Sequence, residues 1–176
     1  MSECMLYQSL SAVLSLLIKL ILFYLPAYVA NGSPVVFSKI YGPGHPIDMG
    51  IVFSDGKRLL GDGKTFEGFI TGTVAGSVIG LFLAQIGLHS ISSSITLSLG
   101  AMIGDSLGSF VKRRLGFKRG EWAPLLDELP FIIVALGLHH VFVYALPLDY
   151  WIVALLITPV LHKSTNELAK RIGLRS

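Results

Sequence analysis

The sequence predicts an all-α fold that crosses a membrane five times, and three observations predict it. The composition is 52% hydrophobic and only 14% charged, whereas soluble domains carry about 25% charged residues. Five apolar runs stand out, near Leu6–Ala30, Phe69–Leu88, Ile91–Phe110, Phe131–Leu146 and Trp151–His162. Each reaches, or with its flanks approaches, the roughly 20 residues that cross a hydrocarbon core about 30 Å thick. The cations are also sorted. Of the 14 Lys and Arg, Lys19 alone lies in an apolar run, and the others cluster at Lys39–Lys64, Lys112–Arg119 and Lys163–Arg175. Five crossings put all three clusters on one face. The positive-inside rule makes that face cytoplasmic and leaves the N-terminus outside. No long repeat or low-complexity tract divides the 176 residues, so one membrane-embedded domain is expected. The single cysteine, Cys4, allows neither an intramolecular disulfide nor a cysteine zinc cluster.

The first run does not read as a cleaved signal peptide. It has no basic start, Glu3 is its only early charge, and its apolar stretch is too long. Lys19 is expected to snorkel or to point into the bundle. The segment 31–65 then reads NGSPVVFSKIYGPGHPIDMGIVFSDGKRLLGDGKT. Its Gly and Pro keep it from being one long helix, and a polar connection of that length tends to be functional. Its last letters, GDGKT, end like a phosphate-binding P-loop. However, the glycine that motif needs five positions before Gly63 is Arg58, and no soluble strand–loop–helix surrounds it. Instead Asp62, Lys64 and Thr65 stand just before the second run. The free N–H groups of that helix start are expected to make an anion site.

In the second run Gly68, Gly72, Gly76 and Gly80 recur every four residues, and in the third Gly100, Gly104 and Gly108 repeat the device. Such faces let helix backbones approach closely in lipid, and tight packing of the second hairpin is expected. The third run also carries Asp105, and a carboxylate in an apolar helix costs about 2.5–3.5 kcal/mol. Asp105, Ser109 and Lys112 share a helical face at offsets of four and seven. Arg113, Arg114, Lys118 and Arg119 follow, and Asp127 stands at the mouth of the fourth run. Two carboxylates with several cations at a membrane surface suit a magnesium-bound polyphosphate, because Mg²⁺ takes one or two carboxylates plus phosphate oxygens and waters. A structural Asp–Lys ion pair is the competing reading. His89, His139 and His140 fall at the other end of their runs and are expected to be packed or interfacial and not ligands. Trp122 reads as an interfacial anchor. His162 and Asn166 are four apart on the last helix, a spacing that suits a helix-end hydrogen bond.

At these residues the chain resembles the membrane CDP-lipid synthases. The bacterial phosphatidate cytidylyltransferases carry G-D-x-x-x-S-x-x-K-R-x-x-G-x-K. Gly104-Asp105, Ser109, Lys112-Arg113, Gly116 and Lys118 match it, and Pro124 and Asp127 follow where that family has its Pro and the first Asp of D-R-x-D. The chain departs at Glu128 and Pro130, which replace the later Arg and Asp, and it lacks a G-H-G-G stretch. Over essentially its full length it looks closer to the archaeal branch, the CDP-archaeol synthases. That branch shares N-x-x-P (Asn31, Pro34), P-x-D (Pro46, Asp48), Gly61–Thr65, and a terminal His and Asn (His162, Asn166).

The resemblance implies transfer of CMP from CTP to the phosphate of an unsaturated archaetidic acid. The products are CDP-archaeol and pyrophosphate. It implies Mg²⁺ held by Asp105 and Asp127, and phosphates neutralised by Lys64, Lys112 and Lys118, with Lys112 or Arg113 near the lipid phosphate. Asn31, Asp48 and Asp62 are expected to shape the base or ribose pocket. Thr65, Ser109, Arg119, His162 and Asn166 complete the expected substrate set. The partners are CTP, a prenylated glycerol phosphate and the bilayer, with no nucleic acid and with a homo-oligomer left open. The enzyme is expected in the cell membrane with its site toward the cytoplasm. A small ion transporter or channel is the rival reading. It would need polar groups through the full membrane depth, and here they gather on one face. Another CDP-linked head-group transferase would carry a denser aspartate signature than this chain has.

Overall fold

The computed structural model describes the backbone of residues 2–173 and the side chains of residues 7–173. The side chains of Glu3 and Cys4, and all of Arg175, lie outside the described residues. Five helices follow in order: α1 Ser2–Tyr41, α2 Phe66–Gln85, α3 Ile91–Arg114, α4 Pro130–Phe142 and α5 Leu148–Arg171. Apart from them, two isolated β-bridges, Pro46↔Thr65 and Val52↔Arg58, tie the connection between α1 and α2. The expected all-α class is therefore what the chain adopts. Three helices, α1, α2 and α3, are long and apolar enough to cross a membrane. At 13 residues, α4 rises only about 20 Å.

The ends of the runs differ from expectation. The largest difference is in α1, expected to stop at Ala30, which continues through Asn31-Gly-Ser-Pro34 to Tyr41. A proline inside a helix removes the N–H that would bond to the carbonyl four residues back. Here Ser33 Oγ donates to Val29 O at 2.7 Å and to the freed Ala30 O at 3.4 Å. Gly42, at φ +88, then ends the helix, with its N–H donating to Ser38 O at 3.0 Å. α2 starts three residues before its expected edge and α3 ends four residues beyond.

The two glycine faces serve different neighbours. In α2, a methyl at Gly72 would fall 2.7 Å from Ala30 O, one at Gly76 would fall 2.4 Å from Pro26 O, and one at Gly80 would fall 2.4 Å from Ser94 Cβ. This face therefore lies against both α1 and α3. In α3, Gly100 approaches the Ala135 backbone, Gly104 approaches Pro130 O, and Gly108 approaches Leu126 O. The α3 ladder therefore packs against α4 and the turn before it, and departs from the expected packing within the α2–α3 hairpin.

The core between α1, α3 and α4 holds Leu20, Tyr24, Leu97, Ala101, Phe131 and Ile132, all buried. α5 joins through Tyr24 OH, which donates to Tyr150 O at 2.7 Å, and through Tyr28 OH with Thr158 Oγ1 at 2.9 Å. At the end opposite Lys64 and Lys112, the histidines range from packed to exposed: His140 is exposed and His89 half-buried. His139 is buried with Nε2 2.9 Å from Ser93 Oγ. His89 stacks on Phe23, and His140 Nδ1 accepts from Leu146 N. Lys19 is exposed, so it does not point into the bundle.

Candidate active site

The site forms where α1 ends, α2 begins and α3 runs into the second polar loop. Asp105 lies one turn beyond buried Ala101 on α3 and stays 26% exposed. Its Oδ2 accepts from Lys64 Nζ, which reaches in from the residue before the α2 cap. Two turns further along α3, Lys112 is buried. Its ammonium donates to Asp127 Oδ1 and to Glu121 O, both at 2.6 Å. Asp127 Oδ2 also accepts from Ala123 N at 2.9 Å. The acid–lysine pairs therefore cross between elements: each α3 group takes its partner from a loop. Ser109 lies half-buried between them.

The first polar loop is organised by a residue that sequence reasoning used only to exclude the P-loop. Arg58 forms ion pairs with Asp48 at 2.6 Å and with Asp62 at 2.9 Å. Asp48 is 2% exposed, and its carboxylate accepts from Arg58 and from the amides of Leu60, Gly61 and Gly50. The guanidinium, followed by those amides, holds the Asp48 carboxyl far below the usual carboxylate range in spite of its burial. Asp48 thus shapes the loop from inside. Asp62 meets Arg119 of the second loop at 3.7 Å, which brings the two basic loops together. An i,i+4 spacing of Arg58 and Asp62 was the available signal.

One expectation is corrected. The start of α2 was expected to offer free N–H groups to an anion, but the chain uses them. Thr65 Oγ1 caps Gly68 N at 3.1 Å, and Phe66 N donates to His45 O at 2.9 Å. Glu67 already places a carboxylate in the first turn, and it accepts from His45 N at 2.7 Å and meets His45 Nδ1 at 2.5 Å. A helix start rich in capping groups favours its own carboxylate as much as a ligand's. The Glu67 hydrogen bond raises the His45 pKa. Beside this corner an open cleft of about 600 Å³ is lined by residues that include Pro46, Met49, Arg58, Asp62 and Phe66.

The remaining expected residues are placed as follows. Arg113 Nη2 donates to Lys118 O at 3.2 Å, and Lys118 is exposed. Asn31 is half-buried on α1. Asn166 Nδ2 lies 3.2 Å from His162 Nδ1 on α5, and the His162 ring faces Phe131 at 6.5 Å. Among the described residues no group of three or more His, Cys, Asp or Glu is placed to hold a metal. The donor set is two separate carboxylates.

Comparison with known proteins decides the family. The family model described as CarS-like, CDP-archaeol synthase, matches residues 13–176. The chain belongs to the CDP-archaeol synthase family. Among its relatives, the CDP-archaeol synthase of Thermofilum pendens is 46% identical over 157 residues, covering 88% of this chain and 77% of the relative. That of Aeropyrum pernix is 42% identical over 161 residues, covering 90% of each. A solved structure, described as an intramembrane enzyme for archaeal membrane lipids biosynthesis, aligns with a TM-score of 0.73 at 44% identity. It covers 83% of this chain and 91% of that one. The acid–lysine pairs and the Arg58 hub thus lie within the matched region of a synthase-family member.

Proposed function

We propose that this chain is a CDP-archaeol synthase that works from the cytoplasmic face of the membrane. It would transfer CMP from CTP to the phosphate of an unsaturated archaetidic acid. A lipid phosphate oxygen attacks the α-phosphorus of CTP, and the bond from that phosphorus to the bridging oxygen breaks. CDP-archaeol forms and pyrophosphate leaves. The nucleophile is already anionic, so no general base is needed. The barrier lies in bringing two anions together and in stabilising the leaving group, work that cation and metal clamps do in phosphoryl transfer.

The observation that carries this reading is the pair of lysine–carboxylate contacts on one stretch of α3, Lys64–Asp105 and Lys112–Asp127. The Lys64 and Lys112 side chains are 21% and 10% exposed and lie beside partly open carboxylates. Each lysine can exchange its carboxylate for a phosphate oxygen as substrate enters. Arg113, Lys118 and Arg119 extend the positive surface, with Lys112 or Arg113 toward the lipid phosphate. Asn31 and Asp62 form the base or ribose side, and Asp48 shapes it indirectly by holding the loop from inside. Thr65, Ser109, His162 and Asn166 are second contacts.

The donor chemistry suits Mg²⁺, which binds polyphosphate with one or two protein carboxylates and keeps its waters. Asp105 fits this better than Asp127, because among the described residues Asp105 accepts through Oδ2 alone whereas both Asp127 oxygens accept. Bound there, Mg²⁺ would neutralise charge on the triphosphate. Five crossings with the N-terminus outside put Lys64, Asp105 and Asp127 at the inner surface. α4 and the N-terminal half of α5 complete the spans with their flanking residues.

The test incubates purified protein in detergent with labelled CTP, Mg²⁺ and the geranylgeranylated glycerol phosphate. Equal release of CDP-lipid and pyrophosphate is the expected result. No CDP-lipid from protein that is folded by circular dichroism would end the reading.

A further inference from the structure

We infer that Arg114 is a positioning residue that latches the first polar loop onto the end of α3 and so sets where Lys64 stands. The latch rests on the proposal that Lys64 faces the CTP phosphates, and Arg114 itself touches none of the substrate set. Its guanidinium lies in the corner made by two aromatic rings, 4.8 Å from the Phe53 centroid and 4.9 Å from that of Phe110. Those rings meet edge to face at 5.7 Å. Nη2 donates to Arg58 O at 2.6 Å and to Lys57 O at 3.3 Å. Nε lies 3.1 Å from Asp55 Oδ2, an ion pair without hydrogen-bond alignment. The contact is returned: Lys57 Nζ donates to Arg114 O at 2.9 Å. One side chain of α3 thus holds the loop at Phe53, Asp55, Lys57 and Arg58.

The latch continues toward the acid–lysine pair. Arg58, held by its carbonyl, grips buried Asp48 and also Asp62 with its side chain. Next to Asp48, Ile47 N donates to Lys64 O at 2.8 Å. Lys64 then reaches Asp105, back on α3. Both ends of this chain of contacts are on α3, so Arg114 fixes the 53–57 part of the loop, which His45 and Asp62 do not tie down. A planar guanidinium can face two rings and donate to carbonyls at once, and a lysine ammonium cannot.

The experiment compares full-length Arg114→Ala, Arg114→Lys and the milder Asp55→Asn with wild type in detergent. Arg114→Ala should raise KM for CTP about tenfold, with kcat changed less than about threefold and KM for the lipid phosphate unchanged, the pattern of CTP binding weakened equally in the ground and transition states. Arg114→Lys should not restore KM, and Asp55→Asn should shift it the same way by less. Amide exchange at Phe53 and Leu59, which bond to Lys57 O and Ile51 O, should speed about tenfold in Arg114→Ala while the α2 and α3 amides keep their protection. Unchanged loop exchange with unchanged KM overturns the latch. So does a fall in kcat at constant KM for CTP, or a loss of protection throughout the helices, since each reads as a general folding role. If wild type makes no CDP-lipid, the proposed function fails, and loop exchange alone still decides the latch.

Discussion

At the scale of single residues, charge is placed where it can change partners. Asp105 costs energy in an apolar helix, and the structure meets that cost with Lys64. Asp105→Asn should therefore abolish CDP-lipid formation, a loss of at least about 10³-fold, while the protein still inserts and keeps its helical circular dichroism. Retained turnover would remove Asp105 from the chemistry. Lys64→Met should also inactivate, because it leaves Asp105 without its ammonium and removes a phosphate partner. His45 offers a proton-linked reading of the same corner. Glu67 raises its pKa, so the pair anchors the loop at pH below the unperturbed histidine value, near 6.5. That anchoring fades as pH rises through the raised value. Glu67→Gln should move the His45 titration to lower pH by nuclear magnetic resonance. An unchanged midpoint would show that the pair does not form in solution. These residues were unevenly legible. Asp105 was visible because a carboxylate in an apolar run has few bland explanations. Arg58 was not, because only its i,i+4 spacing to Asp62 is written in the sequence, while buried Asp48, ten residues earlier, is brought to it by loop turns.

At the scale of elements, the two glycine faces serve different neighbours, α2's packing against α1 and α3 and α3's against α4. A methyl at Gly104 would lie 2.3 Å from the Pro130 carbonyl oxygen, a backbone atom that cannot turn aside. Gly104→Ala should destabilise by about 1–3 kcal/mol through overpacking, read as a lower Tm in detergent. Gly32→Ala is the contrast. It lies in α1 with nothing within 4 Å of the added carbon, and it should stabilise by about 0.5–1 kcal/mol through helix propensity. Equal effects from the two would show that the α3–α4 seam is not close-packed. The glycine spacing announced both faces, but not their partners. Spacing fixes which side of a helix is small, and only the fold decides which helix comes to it. The end of α1 was misread for a related reason. Asn-Gly-Ser-Pro is turn chemistry in isolation, and a serine hydroxyl that covers the freed carbonyls lets the helix continue.

At the scale of the whole molecule, the helical class and the crowding of cations at one end were readable from composition and charge sorting. Those are averages over many residues, so errors at the run edges do not disturb them. The proposed orientation can be tested with the protein's own single cysteine, Cys4. A membrane-impermeant maleimide added to sealed, right-side-out vesicles should label it. A cysteine placed at Ser54 in a Cys4→Ser background should react only after the vesicles are opened. The reverse pattern would invert the topology. One adjacency reaches further. The residue that lets Pro130 press against α3 is Gly104, and the next residue is the acid, Asp105. A bulkier residue at that joint would push the two helices apart at the very turn that carries the carboxylate, so tolerance to change at 104 is expected to be bounded by the chemistry at 105 as well as by the seam.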